Sequence, residues 1–132
     1  MPAQRNPGAT PPHIQIAVVL LCASAAVHLW LIATHGGVMS HGVGFSLAAA
    51  ALVLCSASLW RRHTPRVAAL SVSVAGGLVV VYAVTRVSAL PLVGAPEALD
   101  AIGVFTKVVE LAAIALLAPL AARCAGRACC AG

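Results

Sequence analysis

The residues able to do chemistry in this chain are few, and most of them sit where charge is expensive. Lys107 and Glu110 lie three residues apart in the apolar run 101–121, AIGVFTKVVELAAIALLAPLA. On a helix of about 100° per residue they share a face with Gly103, Ile114 and Leu117. Each charge held at mid-membrane costs about 2.5–3.5 kcal/mol on insertion scales, so both need a partner. His28, Tyr82 and Arg86 join them by depth. At 1.5 Å per residue His28 falls about 9 Å below the outer end of its span, Lys107 about 9 Å and Glu110 about 14 Å below theirs. Tyr82 falls at a similar level or slightly shallower, with Arg86 above it near the surface.

Two chemistries fit this set. In one, Glu110 titrates in a buried relay or binding pocket, with Lys107, Arg86 or His28 setting its affinity for a proton. In the other, Glu110 pairs with Lys107 or Arg86 and locks the fourth helix against the third, while Lys107 snorkels outward. In so short a chain the structural pair takes precedence. His28 by itself reads first as a histidine satisfied by a neighbour's hydroxyl or carbonyl.

A second group, His35, Met39 and His41, flanks or occupies the polar turn 36–42, GGVMSHG. These are ligand types suited to copper or another borderline metal. A solvated loop is the simpler reading and takes precedence, and a bis-histidine haem finds no second helix to supply its other ligand. Cys22 and Cys55 lie inside apolar spans as small packing residues. Cys124, Cys129 and Cys130 cluster at the end of the chain, where a thiol metal site or lipidation is open to them, though the simple reading is an unstructured tail. The sequence has no HExxH, CxxC, GxSxG, GxGxxG or phosphate-loop pattern. No residue is assigned a catalytic or cofactor-binding role, no cofactor is implied, and the chain is read as a non-enzyme.

These residues need elements to carry them, and the composition decides which. The chain has 132 residues, 61% of them hydrophobic and only 8% charged, with a mean hydropathy of +1.02. A soluble domain needs far more polar surface. Four apolar stretches, 14–34, 43–60, 67–87 and 101–121, each match a hydrocarbon core about 30 Å thick. The expected fold is an all-α integral membrane bundle of four transmembrane helices. Small residues four apart, Ser46 with Ala50, Ala51 with Cys55 and Ser73 with Gly77, are the expected helix seams. Trp30 and Trp60 suit the two interfaces. Cys22-Ala23-Ser24-Ala25 resembles a signal cleavage site. The lead-in is poor in charge and the apolar run continues past the cut, so a retained span is expected.

Loop charges orient the bundle. Arg5, the run 61–66 with Arg61, Arg62 and Arg66, and the pair Arg123 and Arg127 fall on one side of a four-span chain. The other side carries Glu97 and Asp100, with Arg86 at its boundary. The positive-inside rule then places both termini in the cytoplasm, N-in and C-in. Residues 1–13 read as a disordered cytoplasmic lead-in, and 122–132 as a cytoplasmic Cys/Arg tail. Asp100 is placed to cap the fourth helix. The formal charge of +5 belongs to topology. With no basic stripe interleaved with aromatics, nucleic acid is not a partner. The partners implied are the lipid bilayer and other membrane-protein subunits or further copies of the chain.

Tyr82, Thr85-Arg86, Leu90-Pro91, Glu97 and the segment from Lys107 to Leu111, together with Val27-His28-Leu29 and the His41-Gly42…Phe45 opening of the second span, resemble a pattern in small four-span integral membrane proteins of actinobacterial type. The chain departs from it at Ser88-Ala89, where that group often has Val-Gly before Leu-Pro. The resemblance covers the four-span body, implies a bacterial inner membrane, and marks Arg86 and Glu110 for testing. It brings no activity with it. The function expected is an accessory or structural membrane subunit or a homo-oligomer. A small proton- or ion-coupled transporter built on His28, Tyr82, Arg86, Lys107 and Glu110, and a metal or redox module built on His35, Met39 and His41, stand as alternatives.

Overall fold

The computed structural model describes residues 10–35, 39–87 and 100–128, with the side chains of 35, 39–41 and 125–128 outside that description. Those residues form four helices, α1 (Pro12–His35), α2 (Met39–Arg61), α3 (Pro65–Val87) and α4 (Ala101–Ala128). Among the described residues there is no strand. All four helices are long and apolar enough to cross a membrane. The starts of α1, α3 and α4 have local causes. Pro12 and Pro65 stand at the first helical position, where the missing N–H is no loss. Thr64 caps α3, its Oγ1 accepting from the Val67 N–H at 3.4 Å and its carbonyl from the Ala68 N–H at 3.0 Å. Asp100 caps α4 as expected, with Oδ1 accepting from the Gly103 N–H at 2.5 Å and its carbonyl from the Val104 N–H at 3.0 Å.

α1 packs on α2, α2 on α3 and α3 on α4, and α4 closes the ring against α1. This is the up-down-up-down arrangement that short connections favour. The helices are apolar on every face, so hydrophobicity does not distinguish inside from outside. Residue size and spacing do. On α1 the buried residues Ile14, Ala17, Leu21, Ser24 and His28 alternate three and four apart, with Ala25 buried beside Ser24. On α4 they are Thr106, Glu110, Ala113 and Leu117, in the same rhythm. That 3.5-residue period is the seam pattern of left-handed bundles. Val19, Leu47, Leu54, Val80 and Phe105 face outward instead. Lipid offers them the same apolar contact as protein would, so the seam is left to small residues that bring backbones close. Hydroxyls in the helices return to their own turn: Ser56 donates to the Leu52 carbonyl, Ser71 to Val67 and Thr106 to Ile102. This removes the cost of burying them.

The structure departs from the sequence reading in three places. α2 begins at Met39, so most of the expected turn 36–42 is helical, Met39 and His41 included. α4 continues past residue 121 to Ala128, carrying Cys124 in the helix rather than in an unstructured tail. Apolar length had set the expected end, but alanine and arginine propagate a helix well beyond the hydrophobic run. The third difference is in the seams. Ser46, Ala50, Ser73 and Gly77 face outward, and a Cβ at Gly76 or Gly77 would meet nothing within 4 Å. The α3 seam is instead Ala68, Ser71 and Ala75. Residues 1–9, most of the expected disordered lead-in, lie outside the described residues.

Candidate functional site

Glu110 is the centre of the site. Its four-and-three spacing from Thr106 and Ala113 turns it into the α1–α4 seam, where it is 0% exposed. Each carboxylate oxygen has a donor. Ser24 Oγ on α1 donates to Oε1 at 2.7 Å, and Lys107 Nζ, one turn earlier on α4, donates to Oε2 at 2.5 Å. The lysine side chain is itself only 12% exposed. The charge–charge pair is therefore internal to α4, and the link to α1 is a charge-assisted hydrogen bond from a serine.

One turn along α1 from Ser24, the buried His28 places Nδ1 2.8 Å from the Ser24 carbonyl. A carbonyl only accepts, so Nδ1 carries the hydrogen of this bond. Phe45 of α2 meets the imidazole edge-on, with centroids 6.1 Å apart and planes at 64°. His28 is thus held by its own helix and by the Phe45 ring of α2.

The α3 side is built on Tyr82. The Arg86 guanidinium lies over its ring at 4.4 Å, and the Lys107 ammonium stands 5.7 Å from the same centroid. Arg86 Nη2 also donates to Asp100 Oδ2 at 2.8 Å, with the arginine side chain largely covered and the aspartate half exposed. Asp100 thus does two jobs, capping α4 with one oxygen and pinning the end of α3 with the other. Tyr82 Oη is buried with no hydrogen-bond partner among the described residues. Gly103 makes the close approach possible. A Cβ there would come within 2.6 Å of Tyr82 Cε2 and 2.9 Å of its Oη.

The structure thus brings together all five residues picked from sequence, His28, Tyr82, Arg86, Lys107 and Glu110. They form one polar chain running His28–Ser24–Glu110–Lys107–Tyr82–Arg86–Asp100. Of the two cations expected on Glu110, Lys107 is the one that pairs with it; Arg86 pairs with Asp100 instead, because the cap position puts the aspartate at the level of the last turn of α3. Lys107 does not snorkel outward. It reaches one turn along its own helix to a buried carboxylate, under the Tyr82 ring. Ser24 was missed. Its signal was present, since it shares a face with His28 four residues on and is the nearest hydroxyl on α1 to that depth.

The side chains of His35, Met39 and His41, the candidate metal ligands, lie outside the described residues. Among the described residues no three His, Cys, Asp or Glu gather around a common point. Cys22 is exposed, Cys55 buried and Cys124 between the two, each a free thiol. No family model, curated protein or solved structure matches the chain.

Proposed function

We propose that the protein is a structural or accessory subunit of a bacterial plasma membrane, with both termini in the cytoplasm, acting through contacts with other membrane proteins or with its own copies. The observation that carries this reading is Glu110, fully buried with one donor on each oxygen. A carboxylate serving as a carrier site must meet water or cargo at some stage of its cycle. One saturated by Ser24 and Lys107 in a closed seam instead supports a lock between α1 and α4. The outward faces suit contact within the membrane. On α3, Leu70, Ser73, Gly77 and Val84 form an exposed row with room for another helix at the glycine.

The continuity of the polar chain from His28 to Asp100 favours one other reading, a proton- or ion-coupled carrier that opens this seam. Purified protein reconstituted in vesicles separates the two. Under the structural reading the wild type passes no protons or monovalent cations above empty vesicles, and Glu110→Gln lowers thermal stability. Flux that Glu110→Gln abolishes while the helices stay packed overturns the structural reading and establishes the carrier.

A further inference from the structure

At the end of the bundle opposite Asp100, a cavity of about 570 Å³ opens between the start of α1, the α2–α3 connection and the last turns of α4. It falls within the roughly 300–1,000 Å³ typical of small-ligand sites. Its walls are graded. Ile14 is fully buried, and Leu116 and Leu120 are half-buried. His13, His63 and Arg123, one from each of the three bounding segments, are exposed. Along α4 the lining runs from Ala115 to Arg123, a rise of about 12 Å. An apolar wall therefore lies toward the membrane interior, and a guanidinium with two imidazoles stands at its outer rim.

Two further features bear on the occupant. Pro119 lines the cavity together with Ala115. Proline has no N–H to give the carbonyl four residues back, so the Ala115 carbonyl is released from the helix ladder at this wall. The charge of this end is also one-sided. Arg61, Arg62, Arg66 and Arg123 belong to it, whereas Asp100 and Glu110 lie toward the opposite end of α4.

We propose that this cavity is a binding site for an anionic phospholipid, with the phosphate at Arg123, His13 and His63 and an acyl chain along Leu116 and Leu120. A free phosphate would use the rim and leave the apolar wall without a purpose. A zwitterionic lipid would bring a second cation to an end already crowded with arginines. Basic pockets between transmembrane helices on the cytoplasmic side are a recognised form of anionic-lipid site, and the loop charges place this end there. The proposal is independent of whether Glu110 is a lock or a carrier site.

The test is native mass spectrometry of the full chain in mild detergent, titrated with phosphatidylglycerol or phosphatidylcholine of identical acyl chains. Phosphatidylglycerol is expected to remain bound as a one-to-one adduct under activation that strips phosphatidylcholine. Arg123→Gln should weaken it roughly fivefold, the factor corresponding to about 1 kcal/mol per surface cation, with phosphatidylcholine unaffected. Ala115→Phe, which fills the apolar wall and leaves the rim intact, should reduce phosphatidylglycerol retention as well, so the idea does not depend on one variant folding. Equal retention of the two lipids, or wild-type retention in both variants, overturns the proposal. Displacement of the lipid by millimolar inorganic phosphate assigns the rim to a free anion, and a two-chain species that excludes lipid assigns the cavity to a second copy. Either result also overturns it.

Discussion

Removing the Glu110 carboxylate by Glu110→Leu leaves Lys107 with an ammonium that is 12% exposed and has lost its counter-ion. It also leaves Ser24 without its acceptor on α4. Breaking a buried ion pair by deleting one partner costs about 3–5 kcal/mol, most of it the stranded charge. Two features pull this site to the low end. Ser24 can turn back to a carbonyl of its own helix, as Ser56 and Ser71 already do. Lys107 is about two turns from the start of α4 and can reach toward the interface. We expect a loss of about 3 kcal/mol. Replacing both residues with Leu removes the stranded charge, and buried pairs exchanged for apolar residues of similar volume are often neutral or more stable by about 1–4 kcal/mol. The double variant is therefore expected at or above wild-type stability. The assay is equilibrium unfolding in mixed micelles, run on wild type, both single variants and the double. A double variant as unstable as Glu110→Leu would refute the reasoning, because it would show that the loss comes from shape rather than from an unpaired charge.

Three other outcomes follow from the same geometry. Gly103→Ala should loosen the α3–α4 contact, since the new methyl would sit 2.6 Å from a Tyr82 ring carbon; overpacking of this kind costs about 1–3 kcal/mol, and a cysteine cross-link between the facing ends of α3 and α4 should form more slowly. Tyr82→Phe removes a buried hydroxyl with no partner among the described residues and should leave stability unchanged or raised, whereas Tyr82→Leu also loses the ring beneath Arg86 and Lys107, worth about 0.5–2 kcal/mol. If His35, Met39 and His41 form a metal site, protein purified without chelator carries stoichiometric metal that His35→Ala with His41→Ala removes; elemental analysis finding none ends that reading.

Helix number and type were legible because four apolar stretches of spanning length leave no other fold for so few charges. The depth of the polar residues was legible for the same reason: position along a spanning helix is a distance along the membrane normal. What was hidden is azimuth. Helices apolar all round carry no stripe to show which side faces the neighbour, so Ser73 and Gly77 were as plausible a seam as Ala68, Ser71 and Ala75. In a soluble bundle water would have marked the difference. Pairing partners depend on azimuth too, which is why Lys107 and Arg86 both stood as partners for Glu110, and only the structure separates them, with Lys107 on Glu110 and Arg86 on Asp100. Ser24 was passed over as one small residue among many. The 3–4 rhythm through Ile14, Ala17, Leu21, Ser24 and His28 was available, and it is the pattern that would have found it.

That Lys107 and Glu110 belong to one helix bears on how the bundle assembles. An (i, i+3) pair can close before any other helix is present. α4 can therefore enter the bilayer close to neutral, at less than the summed insertion cost of two separate charges. The pair contributes little to the choice of neighbour, because it is complete without one. What remains open on the isolated helix is Glu110 Oε1, and Ser24 of α1 fills it. Specific docking of α1 on α4 should then depend on a single hydroxyl. Interhelical hydrogen bonds inside membranes average about 0.6 kcal/mol and reach about 1.7, and a carboxylate acceptor places this one at the upper end. Ser24→Ala should cost about 1.5 kcal/mol, and Ser24→Thr, which keeps the hydroxyl, should recover most of it. The loss should vanish when Glu110 is already leucine. Ser24→Ala costing as much in that background as in the wild type would mean that α1 is positioned by Ala17, Leu21 and Ala25 alone, with the carboxylate a passenger of α4.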